Sequence, residues 1–227
     1  RIIRAVGDPD KRFKEDALRI MRALRFSSVL GFRIEENTKK ALFDNRFLLN
    51  HIASERIFTE LLKLLSGKNV LQVLDEYRDI IAVIIPELKA SFECAQNTPW
   101  HSFPVYEHII RSVDYAPDDP VIRLTMLLHD IGKPSVKKTD ENGRDHFKTH
   151  AAAGEKIAET VLRRLKVSNE IYSKVTTLIQ YHQSVENVND IKIKRWFNKI
   201  GPEYTLSLFD VRIADLKAHN TAKRLCA

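Results

Sequence analysis

An adjacent histidine and aspartate, His129 and Asp130, stand near the end of an apolar run, within Leu127-Leu128-His129-Asp130-Ile131-Gly132-Lys133-Pro134. Side by side, an imidazole nitrogen and a carboxylate oxygen can turn toward one divalent cation. The nitrogen suits a borderline transition metal and the oxygen a harder ion. An isolated buried charge is costly, so an ionisable pair at the mouth of an apolar helix calls for a partner, and a metal ion meets that need. Lys133 could steady a phosphate, or it could satisfy carbonyls at a helix C-terminus. The other histidines near expected helix ends or on apolar helices are His108, His150 and His182, with Asp215 as a second carboxylate. Each has an ordinary reading as well. A lone helical histidine is commonly a hydrogen-bonded core or surface residue, and Asp215 has Arg212 and Lys217 nearby to pair with.

A second set of chemically capable residues lies near the start. Asp16 and Arg19 can present a fixed acceptor and a planar donor fork together, an array able to read the hydrogen-bonding edge of a nucleobase. The plain alternative is an exposed Asp–Arg ion pair, worth a few tenths of a kcal/mol at most. Residues 1–26 hold eight basic side chains (Arg1, Arg4, Lys11, Arg12, Lys14, Arg19, Arg22, Arg25) against four acidic ones (Asp8, Asp10, Glu15, Asp16).

The elements that must position these residues read as helices. Asp8 then Pro9 is a start signal, and a helix is expected over residues 13–30, with Leu18, Met21, Leu24 and Ser28 on its buried side. Short helices follow over 36–43, from a cap at Ser54 to Gly67 with Ile57, Leu61, Leu64 and Leu65 buried, and over 69–77 and 78–85. Polar residues and Pro99 mark a boundary within 88–100. Residues 103–113 carry His108, and Asp119-Pro120 opens a central buried helix that ends at Gly132 and Pro134. Asn142-Gly143 signals a hairpin within residues 135–148, the only β-structure expected. Thr149 and Ser168 are expected caps of the next two helices. Asn189 or Asp190 opens a helix closed by Gly201, and Pro202 starts the last, which carries Asp215.

With 44% hydrophobic and 30% charged residues, and only 7 Gly and 8 Pro, the chain reads as a globular, all-α protein. Two distant cysteines, Cys94 and Cys226, support neither a disulfide framework nor a zinc ribbon, so a cytoplasmic setting is expected. No apolar run approaches a membrane span and no signal-peptide pattern precedes the first helix, so no membrane partner is expected. The net charge of +7 fits a polyanionic partner, although excess lysine also serves solubility.

The run RAVGDPDKRFKEDALRIMRALRFSSVLGF resembles the neck of bacterial-type (class II) tRNA nucleotidyltransferases, the CCA-adding enzymes and their poly(A) polymerase relatives. The resemblance rests on an EDxxR element, Glu15-Asp16-Ala17-Leu18-Arg19, followed by Arg22, Ala23, Leu24, Arg25 and Phe26. It implies that Asp16 and Arg19 act as a template pairing with CTP or ATP, that Glu15 positions the arginine, and that Arg12, Arg22 and Arg25 contact RNA phosphates. Residues 54–61 also resemble the start of that family's body domain, although a capped amphipathic helix suffices to explain them.

Farther on, the order His108, His129-Asp130, His150, His182, Asp215 resembles the HD-domain phosphohydrolase superfamily. That resemblance implies one metal on His108, His129, Asp130 and Asp215, and a second on His150 and His182 bridged by Asp130. One or two divalent ions are implied, with Mg, Mn, Ni, Fe and Zn left open, and Asp130 and Lys133 as catalytic groups. The chemistry would be phosphate-ester hydrolysis, since a divalent metal lowers the pKa of bound water and neutralises phosphoryl oxygens. The remaining histidines, His51, His101, His146 and His219, are expected to be structural or exposed, with His146 the one nearest the site.

Together the resemblances imply a neck/body helical domain over 1–90 and an HD domain over 91–227. They resemble the C-terminal part of an HD-containing CCA-adding enzyme, with tRNA, CTP or ATP and a phosphoester as partners. That family's catalytic head carries a Gly-Ser motif, paired carboxylates and an Arg-Arg-Asp-Phe-type element, none of which occurs here, and the sequence starts at Arg1. The expectation is therefore a segment of a longer protein that does not add nucleotides alone. Two other readings are a non-catalytic RNA-binding scaffold with a structural or vestigial metal site, and a free-standing nucleotide phosphohydrolase, which leaves the EDALR neck without a role.

Overall fold

The computed structural model describes residues 1–99, 102–185 and 189–219. His101 and Cys226 lie outside them. The first helix, α1 (Pro9–Glu15), is capped by the Asp8 carboxylate, which accepts the N–H groups of Asp10 and Lys11. It does not continue into α2 (Leu18–Leu30) as the periodicity predicted. Asp16 turns to an extended backbone (φ −152°, ψ 99°), and its Oδ1 accepts the Leu18 N–H at 3.1 Å. A short acidic side chain that hydrogen-bonds its own backbone competes with helix propagation, and here it wins. The buried side of α2 is as expected, with Leu18, Met21, Leu24 and Ser28 shielded.

A second departure lies beside it. The strands β1 (Ile2–Ile3) and β2 (Arg33–Ile34) pair in parallel, so the hairpin is not the only β-structure. Two-residue strands are too short to show alternation in a sequence, and this pairing spans α1 and α2. Next come α3 (Glu36–Asn45), α4 (Ser54–Leu65), α5 (Val70–Glu76), α6 (Arg78–Ile84) and the single turn α7 (Lys89–Phe92). Ser54 is the first residue of α4 rather than its cap; Ala53 stands in the cap position, without a side-chain bond. The stripe Ile57, Leu61, Leu64 and Leu65 is buried as expected.

Helix α2 is locked to the end of α4. Ser28 Oγ donates to Leu64 O at 2.7 Å, and Asn69 N–H donates to Ser28 O at 3.0 Å. Gly67 sits so close to Ser28 that any Cβ would overlap it. The next two helices, α8 (Val105–Tyr115) and α9 (Pro120–Leu128), pack onto this layer. Asp119 caps α9 as predicted, accepting from Val121 and Ile122. Arg123 reaches from α9 with Nη1 donating to Leu65 O (2.6 Å) and Gly67 O (3.0 Å), while Nε donates to Pro117 O. A buried guanidinium thus satisfies carbonyls that the end of α4 leaves without helical partners. One cluster of buried apolar side chains runs from Phe13 to Ala214 through all these elements.

After the turn α10 (Lys133–Val136), β3 (Lys138–Thr139) and β4 (Asp145–His146) form the predicted antiparallel hairpin, with Gly143 at φ 75°. Two long helices follow, α11 (His150–Arg164) and α12 (Asn169–Tyr181), and finally α13 (Asp190–Ala218), which breaks at Gly201 (φ 82°, ψ 165°) before Pro202. Ser168 and Asn189 cap their helices through side-chain oxygens, whereas Thr149 is left-handed (φ 68°) and makes no side-chain cap. Among the described residues the architecture is all-α with two small sheets. Among the described residues no helix is long and apolar enough to cross a membrane.

Candidate metal centre

Each helix delivers its chemical group at or near one end. His129 follows the last residue of α9, His150 begins α11, and His182 follows α12. There the ring of each histidine can reach a carbonyl of its own chain three residues back: His129 Nδ1–Met126 O 2.7 Å, His150 Nδ1–Phe147 O 2.8 Å, His182 Nδ1–Ile179 O 2.6 Å. A carbonyl only accepts, so each Nδ1 carries the hydrogen and each Nε2 presents a lone pair inward. His108 comes from the buried face of α8 and Asp215 from the second half of α13. Gly132 packs so tightly on the start of α11 that a Cβ would overlap His150 O and Gly154 N, which brings Asp130 beside His150.

All six expected metal residues converge. Asp130 Oδ2 lies 3.3 Å from both His108 Nε2 and His129 Nε2, while Oδ1 lies 3.1 Å from His150 Nε2 and 3.9 Å from His182 Nε2. Asp215 Oδ1 lies 3.1 Å from His108 Nε2 and 3.9 Å from His129 Nε2, and its Oδ2 accepts from Arg212 at 2.8 Å. The Nε2 atoms of His150 and His182 are 3.2 Å apart. Every one of these residues is buried, none more than 7% exposed.

The electrostatics match the crowding. Burial works to raise the Asp130 carboxyl, but His129 and Lys133 outweigh it and hold its pKa well below the usual range. Burial likewise opposes ionisation of Asp215, and hydrogen bonds from His108 and His219 hold its pKa down. Burial acts to lower the His108 pKa, but Asp130 and Asp215 together raise it. His182 is pushed down to about 4 by burial and by His129, so at neutral pH it is a neutral nitrogen donor. Among the described residues the buried Nε2 of His129 has no hydrogen-bond partner, only the approach of the Asp130 carboxylate. Inward nitrogen lone pairs facing carboxylate oxygens at such distances need a proton or a cation between them. His108–His129–Asp130 and Asp130–His150–His182 each offer ligand atoms within 4.8 Å of one another. The mixed nitrogen and oxygen donors fit a divalent metal.

Lys133 is also drawn in. It is buried, with Nζ 2.6 Å from Asp130 Oδ2, 2.8 Å from Gln96 Oε1 and above the Phe147 ring. It opens α10 instead of closing a helix, so carbonyl capping does not explain it. His146 does not approach the centre; it is tied to Asp140 Oδ2 at 2.7 Å in the hairpin. His219 was overlooked: its Nε2 lies 3.3 Å from Asp215 Oδ1. The signal available in the sequence was the four-residue spacing of Asp215 and His219, which puts both on one helix face.

The neck residues gather differently. Glu15 Oε2 accepts from both Arg12 Nη1 and Arg19 Nη1 at 2.9 Å, and Arg19 Nη1 also donates to Arg12 O. These two arginines hold the Glu15 pKa below its ordinary value. Arg19 is therefore paired with Glu15, while Asp16 spends one oxygen on Leu18 N–H and has Arg56 at 3.9 Å. A cavity of about 390 Å3 is lined by Arg4, Arg12, Phe13, Arg19, Arg22 and Phe26, among others. Arg22 is exposed, whereas Arg25 turns to Glu60 at 2.9 Å and covers the Phe26 ring.

Residues 101–218 match the family described as HD domain, and residues 31–92 match the one described as probable RNA and SrmB-binding site of polymerase A. The chain belongs to the HD-domain family. The six converging side chains lie within the residues matched to that family, and the likeness extends over the preceding helices to the C-terminal region of bacterial CCA-adding enzymes. The CCA-adding enzyme of Ligilactobacillus salivarius is 56% identical over 78 residues, 34% of this chain and 19% of that protein. The CC-adding tRNA nucleotidyltransferase of Thermus thermophilus is 32% identical over 187 residues, 76% of this chain and 43% of that protein. The crystal structure of Bacillus stearothermophilus CCA-adding enzyme in complex with CTP superposes with a TM-score of 0.61 at 28% identity, covering 94% of this chain and 46% of that one. The chain spans less than half the length of these relatives.

Proposed function

We propose that this chain is the template, RNA-contacting and HD portion of a cytoplasmic tRNA nucleotidyltransferase, and that its HD centre hydrolyses phosphate esters. The hydrolase reading is supported above all by Asp130, whose two oxygens face separate histidine sets, His108 with His129 and His150 with His182. One ion on each side, or a single ion on the Asp215 side, follows from that division. A bound divalent metal supplies an activated water near neutral pH and neutralises charge on the phosphoryl oxygens. The protein's share is positioning: backbone carbonyls fix three imidazole tautomers, and Arg212 aims Asp215 inward. Lys133 holds an ammonium at the rim of Asp130, where it can meet a phosphate oxygen.

In the neck, Glu15 fixes the guanidinium of Arg19 for a base edge, and Asp16 supplies the neighbouring acceptor. Arg12 and Arg22 border the cavity that Arg19 lines, which supports a role in phosphate contacts to tRNA or to CTP and ATP. Arg25 is less available for that role because Glu60 engages it. The domain division at about residue 90 belongs to this proposal.

One observation favours a second reading, an RNA-binding scaffold with a vestigial metal site. The Lys133 ammonium already sits 2.6 Å from Asp130 Oδ2 and can balance that carboxylate without an ion. Metal analysis of the purified chain together with a phosphoesterase screen separates the two. Bound divalent metal and an activity lost in Asp130→Ala support the hydrolase; a folded, metal-free and inactive protein supports the scaffold.

A further inference from the structure

Asp215 and His219 stand one turn apart at the C-terminal end of α13, with His219 in the cap position. The His219 Nε2 lies 3.3 Å from Asp215 Oδ1, the same oxygen that His108 Nε2 approaches at 3.1 Å. The His108 and His219 rings are 5.3 Å apart at an interplanar angle of 34°. One ligand atom from each of His108, Asp215 and His219 lies within 4.8 Å of the others, the same closeness as in the two triads centred on Asp130. We infer that His219 is a further ligand of the metal held by His108, His129, Asp130 and Asp215. The inference rests on the metal reading of the HD centre given above.

The ordinary alternative is that His219 simply neutralises Asp215 at a helix end. Asp215 does not need it for that. Its Oδ2 is already bound by Arg212 at 2.8 Å, which leaves Oδ1 aimed at His108 and His219. His219 is also the most exposed member of the cluster, at 17% for its side chain against 1% for His108 and 0% for His129. It is therefore the member nearest solvent in a cluster whose other side chains are buried.

Adding His219 makes the two halves of the centre unequal. The Asp215 side then offers three imidazoles and two carboxylates, whereas the opposite side offers His150, His182 and the shared Asp130. The first is a nearly filled, nitrogen-rich site for a tightly kept transition metal. The second leaves coordination positions open, as a site must where substrate and water enter.

The test is calorimetric titration of the metal-stripped chain with cobalt(II) chloride, followed in parallel by the visible cobalt spectrum. Wild type, His219→Ala, His219→Gln and the surface control His51→Ala are compared. Glutamine keeps a hydrogen-bond donor for Asp215 but offers no imidazole, so it separates a ligand from a hydrogen-bond partner. The expected result is a tight cobalt class weakened by roughly tenfold or more in both His219 variants, a scale set by the loss even outer-shell partners cause. The visible bands of that class shift, the weaker class is unchanged, and His51→Ala behaves as wild type. Unchanged tight binding and spectrum in His219→Ala, or full recovery in His219→Gln, overturns the ligand assignment alone. No cobalt uptake by wild type overturns the metal reading and this inference with it.

Discussion

At the candidate metal centre, six side chains arrive from five separate helices or helix ends and are almost sealed from water. In the neck, Glu15, Asp16 and Arg19 lie within five consecutive residues around one helix break, with Glu15 exposed and Arg19 half-buried. The first arrangement exists only when the whole fold exists. The second needs little more than the Asp16 cap and the packing of α2 on α4. Substitutions at the centre should therefore cost metal, stability or both, whereas those in the neck should change recognition and leave the fold alone.

The sharpest way to break that contrast is Asp130→Ala. One carboxylate serves both histidine sets, so its loss should weaken both classes of divalent metal binding, the His150 and His182 class most, read by calorimetry. Unchanged binding in either class would show that the sets are independent. Next in size is Gly132→Ala, where a Cβ meets backbone atoms that cannot move aside. A loss of about 3 kcal/mol in denaturant unfolding is expected, together with weakened metal uptake, because His150 is displaced from Asp130. Arg123→Met, remote from any site, should cost roughly 2 kcal/mol by leaving the Leu65 and Gly67 carbonyls unsatisfied. A neutral outcome there would mean the helix layers are not held together through this residue. The smallest effect on folding is expected for Arg19→Ala, with the thermal transition of wild type but altered preference between CTP and ATP in the full-length enzyme. A lowered transition with unchanged nucleotide preference would reverse the contrast.

Much of the centre was legible because histidines and aspartates are informative residue types and their order along the chain survives folding. His108, His129, Asp130, His150, His182 and Asp215 were expected to share one site, and their side chains do lie together. What the sequence could not convey was distance. His219 was expected to be structural or exposed, and only the fold turns its ring toward His108. His146, nearer in sequence to His150, was diverted by a local aspartate in its own hairpin. Lys133 was expected either to steady a phosphate or to satisfy carbonyls at a helix C-terminus, and neither reading foresaw the Gln96 and Phe147 contacts around it.

The fold shows the same divide. Helices with long apolar stripes, such as α4 and α9, were readable from periodicity, as were the caps at Asp8, Asp119, Ser168 and Asn189. The break at Asp16 was not, because a single capping bond outweighs an unbroken helical pattern. Serine and threonine at Ser54 and Thr149 carried cap chemistry by type, yet the chain used neither for it. The β1–β2 pairing depends on a contact across two helices that no local window contains.

Whether a cation meets the HD side chains is tested most directly by anomalous diffraction from crystals of the manganese-loaded chain. The expected map has a peak among His108, His129, Asp130 and Asp215, and a second, weaker peak among Asp130, His150 and His182. An ordered centre with no anomalous peak at either place, and with Lys133 still seated on Asp130, would contradict the metal reading.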